Sequence, residues 1–398
     1  MLFSHFSSIM NRGTPVYVGV AFQGSSVEEA KLQIDRVKGY SNLFVIGVTP
    51  VTRNETSLNE VAEYVISNGL CLMVNFGYYS DHPVYPEESW RNWTWQLPWL
   101  ESAKLKWGNR FLGVYYDDEP GGMQLDYDWT GFFEKYAAYF NMPGDYSLKG
   151  IFAKLHASEA TGLPPSDYDL EARYYVEDIL RQNPGHNILK GAGITTLTSD
   201  YGLYWFDYLG GYDILLAQFG WNHSTVQDIA LAKGAARLQN KLWGAIITWK
   251  YESPPYLDSG DAIYGQMVQA YQAGASYIMI FNFPELDGTG YGVMQDEHFA
   301  ALERFWNDIV EPNSESPRDF GSPDVVLVLP RNFGWGMRNP EDKIWGMWEP
   351  DEKSAGIWDI SRRLLSEYGL RLDIVYDDPV YPLAGRYKKV YCWNETIG

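Results

Sequence analysis

The chain has only two cysteines in 398 residues, Cys71 and Cys392, too few for a disulfide framework or a zinc cluster. Cys71 stands in the apolar run Leu70–Val74 and is expected to be a small buried hydrophobe. Histidine is scarce too. His5, His82, His156, His186, His223 and His298 form no HxH or HExxH pair, so a metal-hydrolase signature is missing and no metal is assigned. Neither a Gly-x-Ser-x-Gly nucleophile elbow nor a Walker loop occurs, and the turn Val20-Ala-Phe-Gln-Gly-Ser-Ser lacks the GxGxxG of a dinucleotide site. No cofactor is implied. Positive charge is short, with 31 Lys and Arg against 51 Asp and Glu for a net −20. Phosphates would be repelled, which excludes nucleic acid and anionic lipid surfaces as partners. No run of about 18 apolar residues exists, so no membrane-inserted segment is expected.

What the chain does have is aromatic side chains. They make up 16% of residues, with 16 Trp and 30 Tyr, more than a core needs. Aromatic-lined grooves follow as an expectation. Hydrophobic content of 45% and charged content of 21% suit an ordinary globular protein. The start, Met1 to Pro15, lacks the basic region and apolar core of a secretory signal. Asn-x-Ser/Thr sequons at Asn54, Asn92, Asn222 and Asn394 point instead to an extracellular or cell-surface protein, with the cytoplasm as the alternative.

One pattern fills residues 12–313: an apolar, β-rich run, a turn, a helical-period segment, then another run. Strands are expected near Val16–Phe22, Leu43–Val48, Leu70–Phe76, Phe111–Tyr116, Gly193–Thr198, Asp213–Phe219, Leu242–Trp249 and Tyr277–Phe283. They are continuous apolar runs, as parallel strands buried on both faces are. Eight such strands alternating with helices imply a closed (β/α)8, or TIM, barrel. A doubly wound open sheet is the competing reading. Residues 121–190 form an insertion between the fourth and fifth strands, over one side of the barrel mouth. After Pro312–Pro323 the pattern restarts, and residues 323–398 are expected to form a small α/β, flavodoxin-like domain.

Active sites of such barrels lie at the C-terminal strand ends. The richest segment there is Tyr115-Tyr-Asp-Asp-Glu-Pro-Gly-Gly122, after the fourth strand. Three consecutive carboxyls repel one another, and a raised pKa suits a general acid. The competing reading is a solvated turn or helix start. Opposite, after the seventh strand, Thr248-Trp-Lys-Tyr-Glu-Ser carries Glu252, which is either a second catalytic carboxylate or an ion-pair partner of Lys250. Two opposed carboxyls are what glycosidic cleavage needs. Asn75, Tyr78, Gln218, Trp221, Trp249 and Glu285 occupy other strand ends, where aromatic faces and amides would contact sugar rings and hydroxyls. Tyr115, inside the strand, is expected to pack the barrel.

Asp118-Glu119-Pro120 after the fourth strand, with a Glu after the seventh, resembles the glycoside hydrolases built on (β/α)8 barrels. In their large retaining clan Asn-Glu-Pro ends the fourth strand, and this chain has Asp118 in place of the Asn. The resemblance implies Glu119 as acid/base and Glu252 as nucleophile, with Asp117 and Asp118 orienting the sugar or tuning Glu119. A barrel followed by a small α/β unit is similar to the layout of barrel-type β-galactosidases. Asp117-x-Glu119 also resembles the end of the chitinase-type motif, whose substrate acetamido group is the nucleophile. A carbohydrate substrate is the partner expected on these grounds. A non-catalytic carbohydrate-binding barrel and a carboxylate-liganded metal enzyme are the rival classes. The oligomeric state stays open, a homo-oligomer included.

Overall fold

The computed structural model describes residues 15–81, 86–131, 166–285, 292–314 and 324–394. His5, His82, His156, the middle of the expected insertion (132–165) and the linker at 315–323 lie outside them. Eight parallel strands close into one ring: β1 (Tyr17–Phe22), β2 (Leu43–Ile46), β3 (Cys71–Val74), β4 (Phe111–Tyr115), β5 (Thr196–Asp200), β6 (Ile214–Phe219), β7 (Leu242–Ile247) and β8 (Tyr277–Asn282). Each pairs with its sequence neighbour, and β8 closes on β1 with Tyr17 opposite Tyr277. The helices around and above the ring are α1 (Val27–Val37), α2 (Glu55–Ser67), α3 (Gln96–Trp107), α4 (Pro120–Asp126), α5 (Tyr168–Arg173), α6 (Pro184–Gly191), α7 (Tyr204–Gly210), α8 (Thr225–Gln239), α9 (Gly260–Gln272) and α10 (Asp296–Phe305). The expected (β/α)8 barrel is therefore the fold.

The strands are apolar on both faces because each face meets a different core. Ala21, Val45, Met73, Tyr115, Leu197, Leu216, Ile246 and Met279 fill the barrel interior. Their neighbours Val20, Phe44, Val74, Val114, Leu215 and Ile280 pack outward against the helices. Local signals set the helix ends. Ser26 and Glu29 form a reciprocal capping box on α1. Past α2, Gly69 takes φ +86°, the left-handed stop its position predicts.

Two expectations change. The fifth strand is Thr196–Asp200, not Gly193–Thr198. Gly193, at φ +63°, belongs to the end of α6, where the Ile194 N–H returns to Leu189 O at 2.9 Å. The shift brings Ser199 and Asp200 into the strand end. Cys71 is only half-buried, because it opens β3 at the ring's N-terminal rim. Among the described residues no helix is long and apolar enough to cross a membrane.

Beyond the barrel, β9 (Val325–Leu329), β10 (Leu372–Tyr376) and β11 (Lys389–Cys392) form a parallel sheet in the order β10-β9-β11, joined through α11 (Glu352–Tyr368). The sheet packs directly on barrel helix α8. A Cβ at Gly234 of α8 would lie 2.7 Å from Ile374 O, so only glycine allows this approach. The contact carries a buried charge network: Asp373 pairs with Arg237 at 2.5 Å and Lys233 at 3.1 Å and accepts from the Tyr387 hydroxyl at 2.9 Å. Burial pulls the Lys233 ammonium below its ordinary pKa, so its acid partner is what keeps it charged. Asp373→Ala strands that cation and is expected to cost about 3–5 kcal/mol in urea unfolding. A loss below about 1 kcal/mol would contradict the network.

Candidate active site at the β4, β5 and β6 strand ends

Two residues of the acidic run have a backbone that side chains seldom adopt. Asp117 sits at φ +57° and Glu119 at φ +54°, the left-handed region that disfavours any residue with a Cβ. Each costs roughly 1 kcal/mol or more and persists only where the surroundings over-determine it. Here β5 does so. Thr198 Oγ1 donates to Asp117 O at 2.9 Å, and the Glu119 N–H donates to Ser199 O at 3.0 Å. The Asp200 carboxylate, fully buried, accepts from the N–H groups of Gly121 (2.6 Å), Gly122 (2.8 Å), Tyr201 (2.7 Å) and Gly202 (3.1 Å). A Cβ on Gly121 would fall 2.7 Å from Gly202 O and one on Gly122 2.1 Å from the Tyr201 ring, so the Gly-Gly pair lets helix α4 approach the loop after β5. Glu119 holds the N-cap position of α4 but makes no side-chain cap bond. Asp200 caps the helix in its place, and the Glu119 carboxyl stays free for other work.

That carboxyl joins a chain of hydrogen bonds crossing three strand ends. Gln218 on β6 donates from Nε2 to Glu119 Oε1 at 2.8 Å and to Ser199 Oγ at 2.7 Å. The Tyr115 hydroxyl lies 2.6 Å from Ser199 Oγ and 2.5 Å from Asp118 Oδ1. Ser199 Oγ is also 3.2 Å from Asp118 Oδ1. Asp118 is exposed as a residue, while its Oδ1 lies in the part-buried contact with Tyr115 and Ser199. Its carboxyl is pushed up to about 6, by burial first, against the pull of the Tyr115 and Ser199 hydroxyls. Glu119 is pushed up to about 7, by burial first and then by the Asp118 charge, with Gln218 opposing. Burial also raises Asp117. In the window between about 6 and 7, Asp118 is the anion and Glu119 keeps its proton. Tyr115 was expected to pack the barrel. It does, and burial together with Asp118 raises its hydroxyl far up, so it remains a donor to that acid.

Behind this layer lies a second pair of acids. Asp207 on α7 is fully buried, accepts from the Tyr175 hydroxyl at 2.6 Å and interacts with Asp200. Two buried carboxyls side by side do not both ionise. Burial raises both acids, but the amide donors hold Asp200 down to about 7, while burial and then the Asp200 charge push Asp207 well up, so Asp207 holds the shared proton.

Of the residues singled out in the sequence, the structure joins Glu119 and Gln218 directly and links Asp118 to Gln218 through Ser199. Burial first and then the nearby Asp117 charge raise the Tyr78 hydroxyl, although the residue as a whole is exposed. Trp221 is 40% exposed beyond β6. Asn75 turns back on its own loop, accepting from the Gly77 N–H at 2.7 Å. Trp249 packs against Tyr256, Phe281 and Phe283. Glu252 is exposed on the loop after β7, and among the described residues no hydrogen bond or ion pair anchors it. Lys250 pairs with Asp258 instead, at 2.6 Å. Glu285 is exposed beyond β8. Sequence reasoning missed Ser199 and Asp207. Ser199 had a signal, the polar end of Thr196-Leu-Thr-Ser-Asp200, hidden by the misplaced strand. Among the described residues no group of His, Cys, Asp and Glu side chains could hold a metal ion.

The raised Glu119 pKa is also a stability statement. In the unfolded chain the carboxyl titrates near its ordinary value of about 4.3, so between there and about 7 the folded state binds the extra proton. Stability therefore falls as pH rises through that window. Glu119→Gln removes the buried charge and keeps an acceptor for Gln218. It is expected to stabilise the protein at pH 8 by roughly 1–2 kcal/mol in urea unfolding, with the gain vanishing near pH 4. An equal effect at both pH values would contradict the placement of this acid.

No family model and no curated protein sequence matches this chain. Among solved structures it is similar to a D-psicose 3-epimerase from Clostridium cellulolyticum H10, at 14% identity over 74% of this chain and 99% of that one, with a TM-score of 0.36. It is also similar to beta-glucosidase 1317, at 12% identity over 72% and 89% of the two chains (TM-score 0.39). A third is an endo-beta-mannanase/endo-beta-glucanase from Prevotella bryantii, at 9% identity over 82% and 50% (TM-score 0.41). These barrels catalyse different reactions, and likeness this distant carries no argument about chemistry.

Proposed function

We propose that the chain is a glycoside hydrolase in which Glu119 protonates the departing glycosidic oxygen. One observation carries the reading: a mostly buried glutamate at the C-terminal end of β4, pushed up to about 7 and, among the described residues, with its carboxyl hydrogen-bonded only to an amide donor. A carboxyl so placed is protonated at neutral pH and below, as a general acid must be. Asp118 ionises first and, fixed by Tyr115 and Ser199, keeps a negative charge beside the acid. Once Glu119 has given up its proton, the Gln218 N–H steadies the carboxylate, which can then take a proton from the incoming water or sugar. Asp117 and the exposed faces of Tyr78 and Trp221 supply sugar contacts, with Asn75, Trp249 and Glu285 at the other strand ends. Glu252 is the partner carboxylate, as nucleophile in a retaining reaction or as base in an inverting one.

The exposed, unanchored position of Glu252 favours a second reading. In it the substrate's own acetamido group attacks, and Glu119 is the sole catalytic carboxyl of the protein, as the Asp117-x-Glu119 spacing suggests. The exposed sequons Asn54, Asn222 and Asn394 suit action at the cell surface or outside the cell.

A panel of oligosaccharides, with and without N-acetyl groups, tests both readings. The parent should cleave at least one, with activity falling as pH rises past about 7. Glu119→Gln should lose about 10²–10⁴ in kcat/KM on that substrate. Glu252→Gln should match that loss if the two carboxyls act as a pair, and leave kcat largely intact if the substrate assists. An unchanged rate in Glu119→Gln, on every glycan cleaved by the parent, would overturn the proposal.

A further inference from the structure

The hydrogen bonds from β5 account for the N-terminal end of α4. Its C-terminal end is held by residues from beyond the barrel. Arg338, in the segment between β9 and α11, pairs with Asp126, the last residue of α4, at 2.8 Å. The same guanidinium pairs with Asp342 at 2.6 Å through Nη2 and donates to it from Nε at 2.9 Å. It lies 5.5 Å over the ring of Tyr201, whose hydroxyl also donates to Asp126 at 2.8 Å. The segment that carries Arg338 is itself fixed. Trp335 Nε1 donates to Asp342 O at 2.7 Å and Trp345 Nε1 to Asn332 O at 3.0 Å. A second tie joins the same segment to α4, where Gln124 Nε2 donates to Trp345 O at 3.0 Å and to Glu171 Oε1 at 3.1 Å.

We propose that Arg338 is a positioning residue for Glu119: by binding Asp126 and covering Tyr201 it fixes α4 from the end opposite the acid, so that the segment beyond the barrel completes the catalytic site. The role assigned to Glu119 rests on the hydrolase reading, but the positioning itself does not.

The charges around these groups make the proposal measurable. Glu119 faces Tyr115 and Asp118 at the end of β4, Asp126 from its own helix, and Asp200 and Tyr201 at the end of β5, while Gln218 from β6 is neutral. Arg338 faces Asp126, Asp342 and Tyr201, with His223 from the β6 loop nearby. Among these groups Arg338 is the only fixed cation, and it neutralises an acid whose charge acts on Glu119.

The test follows the carboxyl carbon of Glu119 by NMR across pH in full-length protein labelled at glutamate, with the signal assigned by its loss in Glu119→Gln. Arg338→Gln should move the midpoint upward by about 0.3–0.5 pH unit, because Asp126 is left bare. Asp126→Asn should move it downward. The double variant should follow Asp126→Asn, and Arg338→Lys should stay near the parent. If Arg338→Gln fails to fold, Asp126→Asn and Arg338→Lys still decide the question. An unmoved Glu119 midpoint in Asp126→Asn, or in a folded Arg338→Gln of lowered melting temperature, would make Arg338 a stabilising residue only and overturn the proposal. Because the readout is a titration, its outcome is separate from whether any glycan is cleaved.

Discussion

Everything at the mouth of this barrel depends on one buried carboxylate. Asp200 collects four backbone N–H groups, two from the first turn of α4 and two from the loop after β5, and through Gly121 and Gly122 it fixes where α4 begins. Together with the Ser199 carbonyl, which accepts from the Glu119 N–H, that anchor holds the left-handed turn at Glu119 against its conformational cost. A buried anion is expensive unless its hydrogen bonds are complete. Here the amides complete them, and Asp207 carries the remaining proton of the pair. The anchor therefore comes from β5, while the acid it presents comes from β4. The site is a joint property of adjacent strands, not of one motif.

The second constraint is electrical. The mouth brings together three consecutive acids, and among the described residues no cation pairs with them. Burial and mutual repulsion then sort them by environment. Asp118, with two hydroxyls directed at it, ionises before Glu119, which has one amide donor and a charged neighbour. Two chemically similar groups thus acquire different charges over a narrow pH range, which is the condition for one of them to act as an acid. The aromatic surplus of the composition divides between support and exposure. Tyr115 and Tyr175 spend their hydroxyls on the acids Asp118 and Asp207, while Tyr78 and Trp221 present open faces.

Much of this was legible before any coordinates. Parallel strands between two cores must be apolar throughout, so all eight could be found from the sequence, and Asp118-Glu119-Pro120 stood out as acid at a strand end. The fifth strand was misplaced because Gly193, a helix stop, resembles the glycine that precedes a strand. That error hid Ser199. Asp207 was illegible for another reason: Tyr204-Trp-Phe-Asp-Tyr-Leu-Gly210 gives no sign that its acid is buried, and its partners lie on β5 and on the chain after α5. Glu252 could be assigned to the loop after β7, but not given an orientation, since no local rule fixes a side chain there. Arg338 lay outside the barrel pattern altogether, and its contact with Asp126 spans 212 positions of sequence.

The account stands on the protonation of one side chain at neutral pH. A carbon-13 titration of Glu119 in the unaltered protein, read beside that of Asp118, tests it most directly. The account requires a Glu119 midpoint near 7 with Asp118 below it, near 6. A Glu119 midpoint in the ordinary glutamate range, or Asp118 titrating above it, would contradict the assignment of Glu119 as the acid.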